Sequence, residues 1–214
     1  SGLQRLAKGT AGQVLQMNSG ATAPEYGTVS SDWVKIQETN VTSNVTNVEL
    51  LNFVSADYTS YKIIISNLGK SGTTDGNLNM RYVVGGSPIS DGTYYGLFEG
   101  AKHNNSNATS FEMGGNWAHS MAQVSNWNIP QNGDTWARHV EMSLTFNSGV
   151  RKQMQYFTTG MHVSGTYYIT HNGGYGNANS SVTSDTFLDS NDGVRFFLAN
   201  DQFSRGKFSV YGIK

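Results

Sequence analysis

The side chains able to do chemistry are few, and their spacing is poor for it. Five histidines, His103, His119, His139, His162 and His171, show no H-x-H, H-x-x-H or H-E-x-x-H pattern, so a local metal site has no support. His139 and His162 fall in strand-like runs able to pair across a hairpin, where histidines on a sheet face are the ordinary outcome. A site shared between copies stays open, because a symmetric oligomer needs only one histidine per subunit. The serines include none in a G-x-S-x-G turn. The pairs at 75–76, 91–92 and 192–193 read as Asp-Gly turns. "DSNDG" (189–193) starts like a calcium loop but lacks the terminal glutamate at the right offset, so it too reads as a turn.

Carboxylates offer the one route to hydrolysis. Glu99, Glu112, Asp134 and Glu141 flank the middle of the chain, and a glycosidase needs two carboxyl groups about 5–10 Å apart. Nothing in the sequence brings two of them together. No catalytic residue, metal or cofactor is therefore assigned, and the chain is expected not to be an enzyme.

Aromatic residues among small polar ones are more suggestive. Trp117, Trp127 and Tyr175 stand among Asn, Gln, Ser and Gly, with Asn116 and Asn126 directly preceding the two tryptophans. A sugar presents an apolar patch fringed by hydroxyls, so flat rings beside amides are what glycan recognition asks for. The competing reading makes the same rings core plugs at the ends of a sheet, and it has more force for Trp136, which opens a strand.

Composition says what must position these residues. The 214 residues are 37% hydrophobic and only 14% charged, with 25 Gly, 11 Tyr, 10 Phe and 3 Pro. Short β-branched and aromatic runs broken by Gly, Asn, Asp and Ser belong to an all-β protein. "WARHVEMSLTFN" (136–147) has the clearest period of two, and "VRKQMQYFTTGMHV" (150–163) follows it as a hairpin partner. Leu78, Met80, Tyr82 and Val84 share one face of another strand. About ten strands with glycine turns predict an antiparallel β-sandwich of jelly-roll type over 32–214. The stretch 101–134 predicts long loops with one or two short strands and a brief helical turn near 119–123. "GTYYGLFEG" at 92 and "GTYYITHNG" at 165 echo each other, and two equivalent strand starts explain this more simply than duplication.

Charge and cysteine content narrow the partners. Fourteen Lys and Arg against 15 Asp and Glu, without a basic cluster, argue against nucleic acid. No apolar run approaches the roughly 18 residues of a membrane span. The absence of cysteine excludes disulfides and thiolate sites and fits synthesis in a reducing cytoplasm.

Residues 1–31 are a poorly hydrophobic leader with one apolar knot, Val14-Leu15, and an aromatic near its end, Tyr26. "KGTAGQVLQMNSGATAPEYG" (8–27) resembles a connector of tail-fibre and other virion-surface proteins of tailed bacteriophages, G-T-x-G-Q-V-L followed by N-S-G-A-x-A-P-x-W-G, with Tyr26 where Trp is usual. "ADYTSYKIIISNL" (56–68) and the closing "GKFSVYGIK" (206–214) are similar to the β-rich domains that follow this connector. The resemblance implies a virion structural protein, a homotrimer made in the host cytoplasm and located on the tail or capsid surface. It implies an extended connector that docks to other virion proteins or to a shaft, with Val14, Leu15 and Tyr26 packing between copies. Two roles fit: a receptor-binding domain that holds host surface glycan or protein, and a purely structural decoration of capsid or tail. A tail-associated polysaccharide depolymerase is a weaker third.

Overall fold

The computed structural model describes residues 5–28, 31–73, 76–90, 94–104, 109–119, 121–124, 129–130, 137–145, 153–161, 167–177 and 192–214. They divide into two units, Ser1–Asp32 and Trp33–Lys214. Among the described residues there is no helix, and every strand pairing is antiparallel.

The first unit is a hairpin, β1 (Gln13–Met17) and β2 (Pro24–Thr28), rather than the single extended segment expected from its sequence. Its residues are too small and polar to make a core, but local turn chemistry suffices to fold it back. The second unit holds two sheets. One has five strands, with β10 (Ala122–Gln123), β6 (Leu78–Val84), β14 (Gly193–Leu198) and β4 (Asn47–Leu51) in that order and β7 (Ser87–Pro88) beside β6. The other runs β3 (Trp33–Val41), β15 (Phe203–Ile213), β5 (Ser60–Lys70), β11 (Arg138–Thr145), β12 (Gln153–Met161), β13 (Tyr167–Asn177), β8 (Tyr94–Asn104) and β9 (Thr109–His119).

Alternation along each strand turns one face of each sheet inward. Val48, Leu50, Leu78, Met80, Tyr82, Val194 and Phe196 of the small sheet share one buried cluster with Ile63, Ile65, Val140, Met142, Leu144, Phe208 and Val210 of the large one. Phe196 meets Phe208 across the gap, ring centroids 5.6 Å apart. This is an all-β sandwich, as its composition predicts. The alternation of β11 is the one read from its sequence, with Val140, Met142 and Leu144 inward. At the end of β5 the buried Lys70 donates to the Gly72 carbonyl at 2.9 Å and faces Asp201, which also accepts from Ser71 Oγ and the Gly72 and Gln202 amides. This pair fixes the β5 turn to the β14–β15 turn.

The stretch 101–134 departs from expectation. β8 runs on to Asn104 and β9 fills Thr109–His119, so a hairpin of two 11-residue strands takes the place of loop there, and β10 stands where a helical turn was expected near 119–123. The cause is tertiary: β8 is clamped on its other edge by β13, residue for residue from Tyr167↔Asn104 to Asn177↔Tyr94. The ladder orders a sequence whose side chains show no period. The tyrosine pairs of the two echoed segments, Tyr94-Tyr95 and Tyr167-Tyr168, open β8 and β13, which lie side by side and antiparallel.

Candidate functional site

The connector hairpin is built by its own polar residues. Gly12 adopts a φ of 86°, a conformation that other residues take at a cost, and lets Gln13 N–H reach the Thr10 carbonyl at 3.2 Å. Asn18 closes the far end: its Oδ1 accepts from Thr22 N–H at 2.8 Å and Ala23 N–H at 3.3 Å, while its own N–H donates to the Ala23 carbonyl at 2.9 Å. Register then places Leu15 opposite Tyr26 and Met17 opposite Pro24, with Val14 opposite Gly27. Leu15 is 60% exposed and Met17 53%, and Val14 and Tyr26 also stand open to solvent. The three residues singled out in the connector are thus on one hairpin, Leu15 and Tyr26 as direct neighbours. Turn chemistry makes the segment a scaffold, and the scaffold displays apolar side chains that it does not cover.

The predicted aromatic cluster is only partly described. Trp127 and Asn126 lie outside the described residues, as do His162, Asp134 and most of "DSNDG". Asn116 pairs with Gly96, Gly96 with Tyr175, and Tyr175 with Met154, so Asn116 and Tyr175 hold one row two strands apart, about 10 Å at ordinary strand spacing. Trp117 follows Asn116 in β9, at a register shift between Tyr94 and Gly96. These positions are on strands, not on the loops where their polar neighbours suggested they would be.

Sequence reasoning missed the most exposed apolar surface. Leu97 (70% exposed), Phe111 (78%) and Met113 (83%) project from β8 and β9, with the half-exposed Phe157 on β12. Leu97, Met113 and Gly173 also line an open groove of about 570 Å3 with Phe98 and Glu99. The signal was present as "YYGLF" and "SFEM", but neither segment has the polar alternation that marks a face as outward.

Charges on the outer face of the large sheet are locally paired. Glu38 accepts from Lys35, and lies 2.9 Å from Lys207 Nζ; these two ammonium groups hold its carboxyl at about 2. Lys62 stands 2.6 Å from Glu141, and that hydrogen bond, with a weaker one from His139 at 3.3 Å, lowers the Glu141 carboxyl despite partial burial. Glu141, Phe157, Asn172 and Glu99 sit in one row across four strands, which separates the two glutamates by about 14 Å, too far for a glycosidase pair. Arg138 is fully buried, and burial lowers its guanidinium to about 10. Among the described residues no three His, Asp or Glu side chains gather as metal ligands. Comparison of the chain with protein-family models, with curated proteins and with solved structures finds no match.

Proposed function

We propose that this chain is a surface domain of a tailed-bacteriophage virion, acting as a tail-fibre or receptor-binding domain that adheres to the host cell surface. The observation that carries the reading is the connector. "GTAGQVLQMNSGATAPEYG" folds through Gly12 and Asn18 into a hairpin whose Leu15, Met17 and Tyr26 stay exposed. A segment that spends its local hydrogen bonds on displaying apolar side chains suits burial against other chains, and three copies about an axis would bury them together. The β domain supports the reading through its strand order. Successive strands β3, β4, β5, β6, β10, β11, β14 and β15 divide between the sheets as β3-β15-β5-β11 and β4-β14-β6-β10, which we read as a jelly roll, with β12, β13, β8 and β9 as an added wing. Host contact is assigned to Trp117, Trp127 and Tyr175 with Asn116 and Asn126.

The test uses the full chain. Light scattering should give three times the chain mass, and labelled protein should coat bacterial cells that the parent virion infects. Trp117→Ala and Trp127→Ala should lose cell binding with unchanged circular dichroism. A monomer that binds no bacterial surface overturns the reading.

One observation favours the structural alternative, decoration of capsid or tail without receptor contact. The apolar surface of Leu97, Phe111, Met113 and Phe157 suits a protein neighbour better than a sugar. Imaging of the virion with the domain on the shell, and no cell binding by the purified chain, decides for that role.

A further inference from the structure

The outer face of the small sheet sets two like charges side by side. β6, β14 and β4 lie side by side, and register sets Arg81 directly opposite Arg195, and Arg195 directly opposite Glu49. Like charges in directly opposed positions repel, yet here two guanidinium groups are neighbours in one row. Each has its own support. Arg195 donates through Nε to Glu49 Oε1 at 2.6 Å, and its terminal nitrogen reaches the same oxygen. Arg81 lies over the ring of Phe197, 4.8 Å from its centroid, an attraction between cation and aromatic face. The two forks are thus fixed from different sides, by a carboxylate and by a ring.

Beside this row, towards the β14–β15 turn, the surface drops into an open cavity of about 460 Å3. Both arginines and Phe197 line it, with Asn47, Asn200 and Gln202. Asp201 also reaches its wall, but that carboxylate is committed to Lys70, Ser71 Oγ and the Gly72 and Gln202 amides. The cavity therefore combines two neighbouring guanidinium charges, suited to a carboxylate or phosphate, with amide side chains that both donate and accept, as sugar hydroxyls require.

We propose that this cavity is the subsite for an acidic carbohydrate, Arg81 and Arg195 holding an anionic group and Asn47 and Asn200 its neighbouring hydroxyls. The biological source of such a ligand rests on the receptor-binding reading above; the chemistry of the cavity does not. The anion can be the carboxylate of an acidic sugar or the phosphate of a polyol-phosphate polymer, and the experiment separates the two.

The full chain, labelled with nitrogen-15, is titrated at millimolar concentrations with glucuronate, glycerol phosphate, inorganic phosphate and neutral glucose. Glucuronate or glycerol phosphate should shift the amides of Asn47 and of 195–202, the stronger of the two identifying the source, while glucose leaves them unmoved. Arg81→Gln should weaken binding about tenfold, the loss of one charge-assisted contact, and Arg81→Lys should restore only part, because an ammonium lacks the fork. Arg195→Gln can disturb Glu49, so its melting curve is recorded alongside. Absence of shifts with either organic anion, or equal binding by Arg81→Gln, overturns the proposal. So does inorganic phosphate binding as tightly as both organic anions, which leaves no role for the hydroxyls. If the anions bind as expected but the labelled chain does not adsorb to cells, the cavity stands and the receptor-binding reading fails.

Discussion

The ring of Phe196 in β14 packs on the ring of Phe208 in β15, so consecutive strands of the chain close the sandwich from opposite sheets. Phe203 completes the group, its ring edge-on to Phe208 at 5.6 Å. All three are fully buried. Phe196→Ala should therefore cost about 3–5 kcal/mol, the transfer term plus the cavity left between sheets that cannot collapse together. Urea unfolding should show a lower midpoint at unchanged slope. A loss under about 1 kcal/mol would mean that the sheets are not held together here.

Such pairs were legible in part. The inward residues of β11 and β6 follow from the alternation of their sequences. β8 and β9 were not legible over their full length. Leu97, Phe111 and Met113 are outward and apolar, so the rule that apolar means inward fails on the wing, where pairing with β13 decides. The Arg81–Arg195 cavity was invisible for another reason. Nothing local marks either arginine, and only the register of β6 against β14 makes them neighbours. The first unit differs again: its turn residues Gly12 and Asn18 act within a few positions of themselves, yet its small polar sequence predicts an extended segment rather than the hairpin they close.

Within the wing, a buried aromatic of β12 lies over a glycine of β13. Gly173 pairs with Tyr156, and a Cβ at Gly173 would collide with the phenol ring. Gly173→Ala should destabilise by about 1–3 kcal/mol, as overpacking does. In a Tyr156→Leu background the same substitution should cost clearly less, because the obstructing ring is gone. A double-mutant cycle by thermal melting measures the coupling, and equal costs in both backgrounds would refute the contact.

Acid should weaken the fold through two carboxylates. The Glu38 carboxyl is held at about 2 by Lys35 and Lys207. Burial pushes the Asp201 carboxyl up, but hydrogen bonds from the Gln202 amide, Ser71 and the Gly72 amide, with the charge of Lys70, outweigh it and leave it lowered. Both folded values lie below those of the unfolded chain, so their contributions are complete above about pH 4.5 and are lost as pH falls below it, the Glu38 part towards about 2. Melting temperature measured across this range should fall, and Asp201→Asn should flatten part of the slope. Added salt should erode the Glu38 part, the more solvent-accessible of the two, more than the Asp201 part. A melting temperature constant from pH 5 to about 2 would contradict both assignments.

The connector makes the last prediction, because its folding and its packing can be separated. Leu15 and Tyr26 are opposed on the exposed face of the hairpin, whereas Asn18 holds the loop from within. Leu15→Ser with Tyr26→Ser removes apolar surface but no hydrogen bond of the hairpin, so the melting temperature of the β domain should not change. If copies of the chain associate through this face, the double variant should dissociate at lower dilution in analytical ultracentrifugation. Each buried leucine or tyrosine is worth about 1.5–3 kcal/mol, so with several copies per assembly the shift should reach orders of magnitude in concentration. Asn18→Ala should act differently: it loosens the loop itself, and the hairpin amides should exchange faster with solvent even in the isolated chain. An assembly that ignores the double serine variant but responds to Asn18→Ala would assign the hairpin a purely local role and move the interface to another surface of the domain.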